Sequence, residues 1–279
     1  MSIYLRPAGL DDALAALANA KLTVLAGGTD FYPARVGKPI DDDILDISAI
    51  ASLRGIRDEG NHWRIGATTT WSDIIAAELP PLFDGLNLAA REIGGVQIQN
   101  AGTLAGNLCN ASPAADGVPP LLALDARVEI ADTGGSTSVA LADFILGNRK
   151  TLLRPEQLLS AILIPKPVHP ARSHFVKLGA RKYLVVSIVI VAATLEVEAG
   201  RVRTARVVVG AASAVAQRLP LLEAALIGER CDASLDQHVK AEHLAPLAPI
   251  DDVRASRDYR LDAGLTLLRR VLSQLGARA

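Results

Sequence analysis

Two glycine-bearing segments of this chain could bind an anion through the main chain. The first is LAGGTDF, Leu25 to Phe31, and the second is TLAGNLCNASPAAD, Thr103 to Asp116. In the first, the run ending at Leu25 and Ala26 turns at Gly27-Gly28 and leads into Thr29 and Asp30. Glycines let a backbone come close to a ligand, and successive N–H groups can cradle phosphate oxygens. Thr29 adds a hydroxyl donor. The segment is not GxGxxG and no lysine follows it as in a P-loop, which excludes the common Rossmann and nucleoside triphosphatase readings. In and beside the second segment, Thr103, Gly102, Gly106, Asn107 and Asn110 bring conformational freedom and polar donors. Asp116 is its one carboxylate and could accept from ribose hydroxyls or an adenine amine. A plain tight turn and an irregular loop held by Asx-turns are the bland alternatives. Two such segments in one chain fit one extended dinucleotide, its pyrophosphate against main-chain N–H groups, better than two unrelated turns.

Other reactive residues offer less. Cys109 has no histidine near it in sequence and reads as a small buried thiol, not a nucleophile. The five histidines show no HExxH or other ligand spacing, and no GxSxG supplies a hydrolase serine. Lys177, in HFVKLGA, is a lone cation in an apolar strand. It is a strand-edge lysine or one that faces a phosphate or an anionic ring. Two cysteines cannot build a disulfide framework, an iron–sulfur site or a Cys-only zinc site.

The elements that must position these residues follow from periodicity. Leu10, Ala13, Leu14 and Leu17 predict an amphipathic helix after Pro7, and LTVLAGG reads as a short strand entering a glycine turn. The acidic run Asp41 to Asp43 reads as a solvated loop before the strand ILDIS. WRIGA predicts a strand, and the threonines after it could cap a helix from Ser72 to Leu79, stopped by Pro80-Pro81. LFDGLNLAAREI is helical up to Gly94-Gly95. Beyond Asp116 come a helix end, a strand and its return around a TGG turn, then the strand QLLSAILIP. FVKLGAR, SIVIVAATLEVEAG and RVRTARVVVG are strands with a hairpin at Ala199-Gly200. LPLLEAALIG, DQHVKAEHLAPL and YRLDAGLTLLRRVLSQL are helical. Strands followed by helices, without βαβ alternation, predict an α+β fold.

At 279 residues, half of them apolar, the chain can bury a large core divided over two or three subdomains. Aromatics at 4% and a net charge of −1 give no footprint for nucleic acid or acidic membrane. The N-terminus carries acids where a signal peptide has a basic and then an apolar run, and the apolar run Tyr183 to Leu195 is too short to span a bilayer. The expectation is a cytoplasmic protein.

LAGGTDF, IGGVQIQNAGTLAGNLCNASPAAD, TLLRPEQLLSAILIP and DVRASRDYRLDAGLTLLRRVL occur together in this order. In this the chain resembles the FAD-binding (medium) subunit of the molybdenum hydroxylases, the xanthine dehydrogenase and aerobic carbon monoxide dehydrogenase family. The resemblance spans nearly the whole chain. It implies a two-subdomain, PCMH-like FAD-binding fold (1–56 and 57–172), followed by a C-terminal antiparallel sheet with a helical bundle (173–279). It implies that Leu25, Ala26, Gly27, Gly28, Thr29 and Asp30 wrap the FAD pyrophosphate. Thr103, Gly106, Asn107 and Asn110 would form a second shell around phosphate and ribityl, and Asp116 would hold the ribose or adenine side. Leu159 would pack near the flavin, with Lys177 beside the isoalloxazine, where it would favour an anionic reduced flavin. Ile93 stands where some members have an aromatic residue, and Leu184-Val185 where members often have an aspartate. The implied partners are a large molybdenum–pterin subunit and a small subunit with two [2Fe–2S] clusters, in a dimer of heterotrimers. Electrons would pass from the proximal cluster through FAD to NAD⁺, oxygen or another acceptor. The alternative is a self-contained flavin oxidase of related fold, with Tyr183 as the candidate base.

Overall fold

The computed structural model describes residues 2–182 and 184–277. The N-terminal layer starts with β1 (Tyr4–Leu5) and α1 (Leu10–Asn19), followed by β2 (Thr23–Leu25) and β3 (Ile44–Asp46). The spacing of Ala13, Leu14 and Leu17 works as expected, since these three are the buried face of α1, and Asp11 and Asp12 lie in its first turn, where the helix dipole favours acids. The three strands pair in parallel, in the order β1-β3-β2, with α1 connecting the outer two. Strands of two or three residues are too short to display a period, which is why the sequence shows no βαβ signal here. The acidic run is not merely solvated: Asp42 takes Nε and Nη2 of Arg35 at 2.7 Å each, and Asp43 accepts from the Ile3 N–H. These bonds close the loop between β2 and β3.

The second layer is the antiparallel sheet β4-β5-β10-β6-β7. It begins with β4 (Ile56–Asp58) and β5 (His62–Gly66). Five helices follow: α2 (Trp71–Ala76), α3 (Asp84–Glu92), α4 (Val96–Ala101), α5 (Leu104–Asn110) and α6 (Val118–Ala123). The hairpin β6 (Arg127–Asp132) and β7 (Gly135–Ala140) leads to α7 (Leu141–Phe144), the small pair β8 (Ile145–Gly147) and β9 (Lys150–Thr151), and the central strand β10 (Leu158–Pro165). Successive residues of a strand face opposite sides, so Leu158 joins the core with α1 while Leu159 joins the core with α2, α3 and α5. One strand end thus stands between two cores. Helix α2 is shorter than the predicted Ser72–Leu79. A capping box at Thr70 starts it one residue earlier, and Ala77 leaves the helix ahead of Pro80.

The last layer is a sheet of β11 (Ala171–Leu178), β12 (Val189–Glu198), β13 (Arg201–Gly210) and β14 (Gln217–Arg218), antiparallel and paired in chain order. Ala199 and Gly200 both have positive φ, 50° and 71°, as a two-residue hairpin requires. Val189, Val191, Ala193 and Leu195 pack toward α8 (Pro220–Leu226) and α9 (Arg257–Gly276), whereas Ile190 and Ala192 join the core of the second layer. Burial on both faces explains why this strand reads as an unbroken apolar run. Between α8 and α9, the predicted helix in DQHVKAEHLAPL is two short 3₁₀ turns, Ala233–His238 and Ala241–Leu244, separated by extended Val239 and Lys240. Among the described residues, no helix is long and apolar enough to cross a membrane.

Candidate functional site

The starts of α2 and α5 lie side by side. Trp71 N–H donates to the Gly102 carbonyl at 3.2 Å, and Leu104 N–H donates to the Thr69 carbonyl at 3.0 Å, around an antiparallel bridge between Thr70 and Thr103. Each threonine caps its own helix: Thr70 accepts from Asp73 N–H, and Thr103 from Gly106 N–H at 3.0 Å. The Ser/Thr run is therefore a joint. Its neighbours Thr68 and Thr69 bond the backbone of Leu53 and Gly55, fixing the joint to the end of the N-terminal layer.

Half of the segment Thr103–Asp116 is helical, and only its second part, Ala111–Asp116, is the irregular backbone its composition suggests. Seven of its residues form α5, which ends at Ala111 in the left-handed region (φ 45°). Its small residues serve contact. A Cβ on Gly106 would lie 2.7 Å from Thr103 Oγ1, and one on Gly117 would lie 2.7 Å from both Asn107 Oδ1 and the Trp71 ring. Asn107 accepts from Gly117 N–H at 3.2 Å, and Asn110 accepts from the Arg149 guanidinium.

The two glycine segments meet. A Cβ on Gly27 would stand 1.9 Å from the carbonyl oxygen of Ala101, and one on Gly102 would stand 3.3 Å from Thr29 Oγ1. Gly28 takes φ +69°, with the Tyr32 ring where its side chain would be. Carbonyls of this loop are occupied, Gly28 by Tyr32 N–H and Asp30 by Ala34 N–H. The N–H groups of Gly27, Gly28, Thr29 and Asp30 donate to no acceptor among the described residues. Phe31 closes the loop under the Arg35 guanidinium, 3.7 Å above its ring.

Between the segments opens a cavity of about 470 Å³, within the range of cofactor sites. Leu25 through Asp30 line it on one side, and Thr103, Gly106, Asn107 and Asn110 on the other. Leu158 and Leu159 form its floor from the end of β10, and Ile93 and Trp71 add apolar wall. Cys109 lines this cavity and is exposed, not the buried thiol its sequence context suggests; desolvation by the surrounding protein still pushes it up to about 12, so it is neutral at physiological pH. Unpaired amides beside an apolar pocket suit a ligand with an anionic middle and a flat, weakly polar end.

Two family models divide the chain. Residues 1–167 match the FAD binding domain in molybdopterin dehydrogenase, and residues 174–275 match the CO dehydrogenase flavoprotein C-terminal domain. This chain is a member of the FAD-binding subunits of molybdopterin dehydrogenases. It is 31% identical to the xanthine dehydrogenase FAD-binding subunit of Escherichia coli O157:H7, over 99% of this chain and 96% of that one. It is 32% identical to the carbon monoxide dehydrogenase medium chain of Afipia carboxidovorans, covering 99% and 97%. The reconstituted CO dehydrogenase from Oligotropha carboxidovorans superposes with a TM-score of 0.90 at 27% identity, covering 100% and 99% of the two chains. The α+β fold is thus that of the medium subunits.

Within this FAD-binding subunit, two residues singled out in the sequence do not line the cavity. Lys177 Nζ lies 2.7 Å from Asp116 Oδ2, behind the cavity wall, and the two side chains are 3% and 12% exposed. Lys177 does sit on an edge strand, yet it is no exposed edge lysine. Asp116 bonds a protein cation instead of standing free for a ribose. Leu184, with φ 51°, accepts from the Arg181 side chain through its carbonyl and is itself exposed. Tyr183 lies outside the described residues. Sequence reasoning overlooked Trp71 as a wall of the site; its signal was T-x-x-D at Thr70 and Asp73, which marks a helix start and so places the ring.

Proposed function

We propose that this chain holds FAD in the cavity between its two glycine segments and carries electrons for a molybdenum hydroxylase. The observation that carries the reading is the row of unpartnered N–H groups from Gly27 to Asp30, at the point where the loop meets Gly102 and the start of α5. Those amides and the Thr29 hydroxyl would receive the pyrophosphate oxygens. Leu159, Ile93 and Trp71 would exclude water from the flavin end. Bound FAD supplies redox chemistry in single electrons or pairs, while the protein supplies placement and field. We assign Leu25, Ala26, Gly106, Asn107 and Asn110 to the same site, and the divisions 1–56, 57–172 and 173–279 to its two FAD-binding subdomains and the C-terminal domain.

The chain would work beside a molybdenum–pterin subunit and a [2Fe–2S] subunit, in the cytoplasm, taking electrons from the iron–sulfur partner. NAD⁺ is the acceptor favoured here. A second cleft of about 400 Å³ is lined by Ser112, Asn148, Ser187 and Ser213, donors and acceptors of the kind a dinucleotide's ribose and amide groups use. The test is to purify the chain and record its visible spectrum, then isolate its native complex for metal analysis and NADH formation with heterocycles and aldehydes. Flavin absorption with co-purifying molybdenum and iron is expected. A chain that takes up no flavin from excess FAD defeats the proposal.

A further inference from the structure

The ion pair behind the cavity wall is largely buried. Asp116 gives Oδ2 to Lys177 and receives Ser187 Oγ on Oδ1 at 2.6 Å. Lys177 also donates to the Glu92 carbonyl at 2.9 Å. Ser187 is 2% exposed. Both ends are tied to the cavity wall: Glu92 precedes Ile93, and Asp116 precedes Gly117, whose N–H is held by Asn107. The other titratable groups about the pair are the Glu92 carboxyl, which burial pushes up and Lys177 draws down, and Lys182 beyond it. Opposite charges in contact present a dipole, whose field falls off faster than that of a lone charge.

We infer that Asp116 and Lys177 act on the bound flavin as one internally neutralised pair, with Ser187 as the positioning residue that holds the carboxylate in it. Neither charge reaches the ring alone. The inference rests on the FAD reading above and changes its electrostatics, since a free Lys177 cation and a ribose-binding Asp116 would act independently.

The experiment measures the flavin midpoint potential of the full chain loaded with FAD, in a double-mutant cycle. Asp116→Asn unmasks the cation beside a flavin that gains negative charge on reduction, so its potential rises. Lys177→Met unmasks the anion and the potential falls. The combined variant returns close to wild type. A combined variant that stays at the Lys177→Met value, or an Asp116→Asn protein with weaker FAD binding and an unmoved potential, would overturn the inference. Removing one partner of a buried pair can prevent folding; the combined variant leaves no unpaired charge, and its potential alone decides between a neutral pair and a free cation. Ser187→Ala deprives the carboxylate of a donor and loosens its hold on Lys177. Its potential therefore moves part of the way toward the Asp116→Asn value, and Ser187→Thr restores the wild-type potential. A Ser187→Ala potential equal to that of wild type removes Ser187 from the role. Absence of flavin absorption in the wild-type chain defeats the FAD reading itself, whereas a combined variant held at the Lys177→Met potential with flavin bound defeats the pair alone.

Discussion

At Gly27 the missing side chain is the structural content of the residue. A methyl group there would fall 1.9 Å from the Ala101 carbonyl oxygen, backbone that cannot swing aside. Gly27→Ala should push the two segments apart at an overpacking cost of about 1–3 kcal/mol, weakening FAD about 10- to 100-fold by equilibrium dialysis. Gly147→Ala, where nothing lies within 4 Å, is the control and should bind as wild type does. Cys109 gives a second test at this scale. Its neutral thiol should alkylate slowly with iodoacetamide at pH 8, faster as pH approaches 12, and FAD should protect it; rapid labelling that FAD leaves unchanged would contradict its place in the cavity.

Among the elements, the paired starts of α2 and α5 do most to shape the site, because each supplies cavity wall within a turn of its cap. Thr103→Ala removes the acceptor of Gly106 N–H and should cost about 1 kcal/mol. The melting temperature and the FAD affinity should fall together, and Thr103→Ser should restore both. A loss of stability with affinity intact would separate the cap from the site. Long elements were legible: α1 and α9 carry apolar stripes, β12 is an apolar run of strand length, and β13 is rich in β-branched residues after the Ala199-Gly200 turn. Helix α5 was not, because its glycine and asparagines leave only Leu104 and Leu108 as an apolar stripe, and its helical state is supported by the Thr103 cap, the bridge to Thr70 and burial of those two leucines. The 3₁₀ turns after α8 escaped for a related reason: each is too short for a helical stripe to be told from scattered apolar residues.

At the scale of the molecule, polar clamps hold the C-terminal layer to the rest. Arg206 and Arg218 both reach Asp125 at the end of α6, joining the sheet to the second layer. Within the C-terminal layer itself, Arg260 of α9 is buried and donates to the carbonyls of Ile188 and Ala211 and to Asp252 Oδ1 at 2.7 Å. The N–H of Arg254, with help from the Arg254 side chain, Ala255 N–H and Arg260, holds the Asp252 carboxyl down at about 2 from its ordinary 3.8. A carboxyl with a depressed folded pKa contributes stability above its unfolded value and loses it as pH falls through the folded one. Asp252→Asn should therefore melt at a lower temperature than wild type at neutral pH. The difference should narrow as pH drops from 3.8 toward about 2; a gap independent of pH would show that the charge is not what matters.

Sequence alone determined the α+β class and the long helices and strands, and it pointed to Leu25–Phe31 and Thr103–Asp116 as material for an anion site. These rest on local chemistry: period, caps, and the backbone freedom of glycine. Tertiary structure decided that the two segments touch, that Trp71 and the end of β10 complete the cavity, and that Asp116 and Lys177 face each other behind its wall. Such pairings join residues 61 to 75 positions apart. They depend on how three layers stack, and no local pattern records that.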